Sequence, residues 1–230
     1  ATLDVVKGGN FYFNFPEEIS LAPSGTPLEK ISQHKYNVPN FNTKINLFTQ
    51  LMQESLQDER ILVFVNDKKV ADLLHLKIED AFPNKFGVIH SNKSQNYRLN
   101  TIQDFRNQDI QGIITTDIMA RGLDISDITY VINFEIPEVP EKYIHRIGRT
   151  GRADKIGNAI SFVSQKEEEF FIEIELMMDR EIEPTTLPND LEISDQLLDF
   201  EKVKTKFKAL IKTNQISENK AFHEKKDKNK

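Results

Sequence analysis

The chain has 230 residues, a formal net charge of −6 and 38% hydrophobic residues, which suits one folded domain with extensions. It contains no cysteine, and this excludes a disulfide-stapled fold and a thiolate metal site. No apolar run approaches the ~18 residues of a membrane span, and no secretory signal is visible at the N-terminus. We therefore expect a soluble cytoplasmic protein that has no membrane partner.

The charge is distributed unevenly along the chain. Residues 202–230 contain ten lysines and three acids, a net charge of +7, so the preceding 201 residues carry −13. A basic arm on an acidic body often marks a segment that binds a partner such as nucleic acid. A merely solubilising extension is the alternative.

Hydrophobic patterns predict alternating strands and helices after an irregular segment and linker at residues 1–27. Such alternation indicates an α/β fold with a mainly parallel sheet and helices on both faces, in which ligands gather at the carboxyl ends of the strands. A folded domain is expected over residues 28–185, and residues 186–230 form a C-terminal extension. Within that extension we predict a short basic helix over 202–212 and disorder beyond it. Strands are expected at 31–38, 61–65, 86–89, 112–115, 130–132 and 159–163, and helices at 40–57, 67–82, 95–107, 141–147 and 166–178.

Residues 143–152 form the most distinctive stretch. Arg146, Arg149 and Arg152 follow one another at a spacing of three, with glycines between them and His145 in front. Guanidinium groups pair with phosphate oxygens, and glycine allows a close approach of the backbone. If the run were helical, the three arginines would share one face. A solvated basic helix is the simpler alternative, which the glycines disfavour.

A second polar stretch, residues 115–125, directly follows a predicted strand. Its hydroxyls, Arg121 and Gly122 suit a phosphate backbone or a sugar, and Asp124 could accept hydrogen bonds from ribose hydroxyls. An ordinary strand-to-helix loop with a capping aspartate is the alternative.

Both stretches resemble motifs of the DEAD-box RNA helicases. Residues 143–152 resemble the family's His-Arg-x-Gly-Arg-x-Gly-Arg motif, and residues 115–125 resemble Ala-Thr-Asp-x-x-x-Arg-Gly-x-Asp. Shorter matches occur in the same order at residues 63–69, 90–98 and 131–137, although Ser91 replaces a glycine and Glu135 an aspartate. The resemblance covers roughly residues 30–183 and implies the C-terminal RecA-like lobe: a three-layer α/β domain, here with a flexible basic tail.

The resemblance also implies a nucleotide site shared with a second lobe. Arg149 and Arg152 would act as arginine fingers on the γ-phosphate, and His145 would contact the other lobe. Asp124 and Gly122 would lie at the ribose. The sequence lacks the Gly-x-x-x-x-Gly-Lys phosphate loop and the Asp-Glu-Ala-Asp site. ATP with Mg²⁺ would therefore be held mainly by an N-terminal lobe, whose closing Ser-Ala-Thr motif is similar to Ala1-Thr2. No metal site is expected in this chain.

RNA is the implied partner, held by sugar and phosphate without reading of bases. The residues that match the family's RNA contacts are Asn66, His90, Ser91, Gln95, Arg98, Thr116 and Arg121, the last at either the RNA or the interlobe surface. The intact protein is thus expected to be an ATP-dependent RNA helicase, and the isolated lobe to be inactive. No oligomer is implied.

Two other functions stay open. A DNA helicase of the same superfamily would usually carry glutamine at the position of His145, and the histidine favours RNA. A non-catalytic RecA-like module that binds RNA or protein is the second. A dinucleotide-binding enzyme is disfavoured because no Gly-x-Gly-x-x-Gly follows the first strand.

Overall fold

A computed structural model describes residues 28–117, 125, 127–151 and 156–202. Among these residues, the structure contains six strands and five α-helices, with 3₁₀ turns before the first strand and the last helix. The strands are β1 (Ile31–Asn37), β2 (Ile61–Phe64), β3 (Phe86–Ile89), β4 (Gly112–Thr115), β5 (Tyr130–Asn133) and β6 (Gly157–Val163). The helices are α1 (Phe41–Glu54), α2 (Lys68–Ile78), α3 (Gln95–Arg106), α4 (Pro140–Ile147) and α5 (Glu168–Met177).

The strands form one parallel sheet in the order β1-β6-β5-β2-β4-β3. Alternate residues of each strand face opposite layers, as in β2, where Val63 packs with α1 and α2 and Leu62 packs with α3. Helices α4 and α5 cover the outer strands on the same face as α3. The prediction of a three-layer α/β fold with a parallel sheet is confirmed.

Local sequence signals explain where the helices begin. Asn40 and Ser94 cap α1 and α3 as predicted, accepting hydrogen bonds from the amides of Thr43 and Tyr97. The side chain of Asp67 caps α2, so this helix begins after Asp67 and ends at Ile78 rather than at Phe82. Helix α1 is three residues shorter than predicted at its C-terminal end, since it ends at Glu54. None of the described helices is long and apolar enough to cross a membrane.

The chain returns across α1 after α5, in a segment that has neither helix nor strand and that we call the strap (residues 185–202). Side-chain amides of α1 bind the strap: Asn42 donates to the carbonyl of Gln196 (2.9 Å), and Asn46 donates to that of Glu192 (2.8 Å). Leu191 is buried in the core that α1 and α2 share. The strap thus ends beside the N-terminus of α1. The predicted linker at 1–27 and the predicted tail helix beyond residue 202 lie outside the described residues.

Candidate functional site

One buried arginine organises the carboxyl edge of the sheet. The Arg146 side chain is 1% exposed and holds both carboxylate oxygens of Asp117, with Nε–Oδ1 and Nη2–Oδ2 distances of 2.6 and 3.0 Å. Its Nη2 also donates to the side-chain oxygen of Asn66 (2.8 Å), and its Nη1 donates to the carbonyl of Glu135 (2.7 Å). Asn66, Asp117 and Glu135 follow β2, β4 and β5, so a single guanidinium joins the ends of three strands.

Helix α4 directs this side chain. Helical side chains lean toward the N-terminus of their helix, and Arg146 therefore reaches back to the carboxyl edge although it lies in the last turn of α4. The Phe64 ring lies beneath it, with its centroid 5.2 Å from the guanidinium carbon. Arg146 is thus a positioning residue inside the lobe and does not point outward as a phosphate ligand.

Glu135 lies beside this network in a largely desolvated position. Burial raises the pKa of its carboxyl group, and the neighbouring Glu167 raises it further. The backbone amide of Asn66, which donates to Glu135 at 2.7 Å, and the cations of Lys44 and Arg146 lower that pKa. Burial prevails, so the pKa of Glu135 lies above its ordinary value.

Helix α4 ends at Ile147, with Gly148 as its C-cap. Arg149 therefore lies beyond the helix and does not share a helical face with Arg146. The Arg149 Nε donates to the carbonyl of His145 (3.3 Å). Both His145 and Arg149 are half-buried.

The residues after Arg149 cross to the opposite edge of the sheet. The buried hydroxyl of Thr150 donates to the carbonyls of Ile128 and Thr129 just before β5 (2.8 and 3.0 Å). Gly151 has φ 71°, in the left-handed region that favours glycine. A Cβ on Gly157 would lie 2.5 Å from the Gly151 nitrogen, so only glycine at the start of β6 allows this close approach.

A second group of predicted residues lies at the carboxyl ends of β3 and β4. Ser91 and Gln95 are exposed at the N-terminus of α3, and Thr116 is half-buried directly after β4. The N-terminus of α2, beside Asn66, opens on the same edge. Helix N-termini carry partial positive charge and amide donors, and both properties favour anions.

His90 lies under this surface rather than on it. Its side chain is buried, with Nε2 lying 3.0 Å from the Asp72 carboxylate and Nδ1 accepting from the Asn92 amide (3.3 Å). With Nδ1 as the acceptor, Nε2 is the ring atom that donates to Asp72. Asp72 also pairs with Lys93 (2.9 Å). Burial raises the pKa of Asp72, but its hydrogen bonds to His90 and Lys93 outweigh this and leave the pKa below its usual value.

Arg98 is half-buried on α3, and among the described residues its buried Nε has no hydrogen-bond partner. Asn66 is exposed, but both polar atoms of its amide are engaged, since Nδ2 donates to the carbonyl of Ile136 (2.8 Å) and the side-chain oxygen accepts from Arg146. The predicted residues Arg121, Gly122, Asp124 and Arg152 lie outside the described residues.

Sequence reasoning missed two parts of the site. The pairing of Arg146 with Asp117 joins residues that lie 29 positions apart in two different motifs. Glu167 is the second: it accepts from Lys44 (2.5 Å), from the Ile136 amide (2.9 Å) and from the Ser164 amide (2.9 Å). The helix predicted at 166–178 gives no sign of these contacts. A capping-box pattern, Ser164-x-x-Glu167, was the available signal.

Comparisons with known proteins agree with this geometry. The sequence model of the family described as "Helicase conserved C-terminal domain" matches residues 43–154. The pre-mRNA-splicing ATP-dependent RNA helicase PRP28 of Saccharomyces cerevisiae is 44% identical over 115 residues, which are 50% of this chain and 20% of PRP28. The ATP-dependent RNA helicase FAL1 of Eremothecium gossypii is 34% identical over 82% of this chain and 46% of FAL1.

Solved structures match as well. The C-terminal domain of the DEAD-box protein Dbp5 is 30% identical, with a TM-score of 0.62 over 68% of this chain and 91% of that domain. The S. cerevisiae Dbp5 structure bound to RNA and ADP BeF3 is 32% identical, with a TM-score of 0.63 over 70% of this chain and 42% of that chain. The fold is therefore that of a RecA-like helicase lobe.

This chain belongs to the DEAD-box RNA helicase family and corresponds to its C-terminal RecA-like lobe. It spans between 20% and 46% of the length of these two curated relatives.

Proposed function

We propose that this lobe acts within a two-lobed ATP-dependent RNA helicase that unwinds or remodels RNA. The Arg146 network carries the proposal, because it fixes the ends of three strands beside residues that match the family's RNA contacts. Relatives such as PRP28 and FAL1, which bear the name ATP-dependent RNA helicase, support the same reading.

The RNA strand would run along the carboxyl edge of the sheet. The N-termini of α2 and α3 offer amide donors there, and Ser91, Gln95 and Thr116 offer side-chain donors. Arg98 adds a cation and a buried donor atom that no described residue satisfies. His90 would support the turn from beneath rather than touch RNA. Such groups bind phosphate and sugar and leave the bases unread. The described binding of RNA by Dbp5 supports this assignment.

The nucleotide would lie against the residues that directly follow α4. The hydrogen bond from Thr150 to Ile128 joins the arginine run to the segment that follows Asp124 in sequence. ATP, when bound, supplies the phosphoryl group whose transfer to water drives the cycle. Arg149 and Arg152 would neutralise charge on the γ-phosphate, His145 would contact the N-terminal lobe, and Asp124 and Gly122 would meet the ribose.

The residues of this chain fit the phosphates better than the metal. Guanidinium groups match phosphate oxygens. Glycines at 151 and 157 allow the backbone just after Arg149 to lie close to the start of β6. Within the described ranges, no group of three His, Asp or Glu side chains could hold a metal ion. We assign Mg²⁺ and the attacking water to the N-terminal lobe because that lobe carries the family's phosphate loop and Asp-Glu-Ala-Asp site, which this sequence lacks.

The test uses this chain joined to its native upstream sequence. Replacing Arg149 with alanine should reduce RNA-stimulated ATP hydrolysis by ~10³-fold or more, the scale of an arginine finger, and leave RNA affinity within about twofold. Arg180→Ala, at an exposed arginine after α5, is the matched control and should hydrolyse ATP normally. Wild-type turnover by the Arg149→Ala variant would refute the nucleotide assignment.

A second measurement separates this function from the non-catalytic alternative. The 230-residue chain alone should show no ATP turnover and should bind RNA weakly, with an affinity that falls as salt rises. RNA-stimulated ATP hydrolysis by this chain alone would contradict the shared site. An upstream sequence without a phosphate loop would instead favour a non-catalytic RNA- or protein-binding module.

A further inference from the structure

The outer face of the strap differs in chemistry from its inner face. The inner side chains Leu191 and Leu198 pack against the core beneath α1. The outer side carries exposed acids and the large apolar side chains Ile193 and Leu197, which are 50% and 47% exposed. Phe200 is 54% exposed, but its ring packs edge to face on Phe41 of α1, with ring centroids 5.5 Å apart. The exposed acids on this face are Glu192, Asp195 and Asp199.

Hydrogen bonds from α1 hold the strap in place along its length. Asn42, Asn46 and Gln50 stand four residues apart on α1 and donate to the strap at three successive points, the last being the carboxylate of Asp190 (2.9 Å). The other end is held by Glu201, whose carboxylate accepts from the amide of Phe41 at 2.7 Å. The backbone that carries the acidic and apolar side chains between these points is therefore held against α1.

Most of this acidity lacks a partner within the described part of the chain. No described residue forms a hydrogen bond or ion pair with the side chains of Glu192 or Asp195. From residue 181 to residue 201 the sequence contains seven carboxylates and no lysine or arginine. Like charges so close together repel one another and favour a cationic partner.

The chain itself continues beyond the strap with a basic segment that can serve as the cationic partner. Residues 203–230, which we call the tail, contain nine lysines and three acids. Apolar residues are interleaved with its first lysines, namely Val203, Phe207, Leu210 and Ile211. The tail begins where the strap ends, so its local concentration at the strap is high. Lys202, directly before the tail, already pairs with Asp199 (2.6 Å).

We propose that the outer face of the strap is a docking surface for the chain's own basic tail. Lysines of the tail pair with Glu192, Asp195 and Asp199, and its apolar side chains cover Ile193 and Leu197. RNA phosphates compete for the same lysines, so the strap lowers the affinity of the tail for RNA and the tail is released as RNA binds. The docking is independent of the proposed helicase function, whereas the competition depends on RNA binding.

Docking is tested in the full chain without RNA. Because the chain has no cysteine, a nitroxide label can be placed at a single introduced cysteine. Gln196→Cys puts the label on the strap, and Asn100→Cys puts it on exposed α3 across the sheet. We expect broadening of the tail's amide NMR signals by the first label and not by the second. The broadening should disappear in ~1 M salt, where the Debye length is about 3 Å. Absent broadening, or equal broadening by both labels, would overturn the docking.

Competition is tested with a 12-nucleotide single-stranded RNA probe of about one tail length. The triple variant Glu192→Gln, Asp195→Asn, Asp199→Asn should bind this RNA at least about threefold more tightly at low salt. The control Asp104→Asn, Asp109→Asn, Glu173→Gln removes the same charge from exposed sites on α3, on the turn after it and on α5. An equal gain in RNA affinity in both triple variants would show only a general effect of charge and would refute the competition. A strap-specific gain together with tail broadening would establish both parts.

Discussion

The guanidinium of Arg146 grips the carboxylate of Asp117 through two hydrogen bonds of 2.6 and 3.0 Å, in a position where the arginine is 1% exposed. This pair joins α4 to the segment that follows β4. Both residues are substantially desolvated, so neither charge has water as an adequate alternative partner.

Replacing Arg146 with alanine should therefore lower the free energy of unfolding by about 3–5 kcal/mol, because Asp117 would keep its charge without its partner. Arg146→Lys should also be destabilising, since an ammonium cannot bind Asp117, Asn66 and the Glu135 carbonyl through one planar fork. Urea denaturation measures both effects. Arg180→Lys, at an exposed site, is the control, and equal stability of the two lysine variants would contradict the prediction.

Gly157→Ala tests the close contact between β6 and the arginine run. The added Cβ would lie 2.5 Å from the Gly151 nitrogen and 2.7 Å from Thr150 Cγ2, so backbone must move. We expect a loss of about 1–3 kcal/mol in thermal or chemical unfolding. A second expected effect is altered NMR shifts at Thr150 and Gly151.

Gly87→Ala provides the comparison. Its Cβ would meet side-chain atoms, Thr101 Cγ2 at 2.4 Å and Ile110 Cδ1 at 3.0 Å, rather than backbone. Gly87→Ala should therefore leave the NMR signals of Thr150 and Gly151 unshifted, whatever its effect on stability. Shifts at these residues in both variants would show that the effect of Gly157→Ala is not local.

Glu135→Gln tests the pKa shift caused by burial. Because burial raises the pKa of Glu135 in the folded state, that state binds the proton more tightly than the unfolded chain does. Binding of this proton therefore stabilises the folded state, and the stabilisation is complete below the ordinary glutamate pKa. It is lost as pH rises through the raised pKa of Glu135. The glutamine variant should thus match the wild type in acid and become the more stable of the two toward neutral pH.

Urea denaturation at a series of pH values measures this difference between the two proteins. The effects of other carboxylates cancel in the comparison. A difference that grows toward acid pH would have the wrong sign and would show that the hydrogen bond from Asn66 and the nearby cations outweigh burial.

Glu201→Ala tests how the strap is attached. The Glu201 carboxylate accepts from the amides of Phe41 and Leu198 at 2.7 and 2.9 Å, and the first of these satisfies a donor at the N-terminus of α1. Its loss should cost about 1 kcal/mol, as for other helix caps. Hydrogen exchange of strap amides should accelerate as well.

Asn189→Ala is the matched control on the same strap, because no described residue contacts that exposed side chain through a hydrogen bond or ion pair. It should leave unfolding and hydrogen exchange unchanged. If both variants accelerated exchange equally, the carboxylate of Glu201 would not be the anchor.

Much of the fold follows from short-range signals in the sequence. The apolar runs of β2 to β6 and the caps Asn40 and Ser94 act within one element, and each element predicted between residues 28 and 185 is present. The helix ends were less accurate at α2, where Phe82 continues the apolar pattern beyond the end of the helix at Ile78. Periodicity records which residues are apolar and does not record where backbone hydrogen bonds stop.

The unpredicted contacts join residues that are distant in sequence. Nothing near Arg146 distinguishes it from Arg149, yet the first is buried against Asp117 and the second lies past the end of α4. The strap was predicted only as part of an extension, because its partners Asn42 and Asn46 precede it by about 150 residues. Such pairings depend on tertiary packing, which local patterns do not encode.

Helix α4 touches both edges of the sheet. Through Arg146 it binds the strand ends beside Thr116 and Asn66, and just beyond its last residue Thr150 binds the entry to β5. One short helix and the turn that follows it thus connect the strand ends at Asn66 and Asp117 with the entry to β5. If Arg149 and Thr116 contact nucleotide and RNA as proposed, a movement at one of these two surfaces has only this connection to cross before it reaches the other.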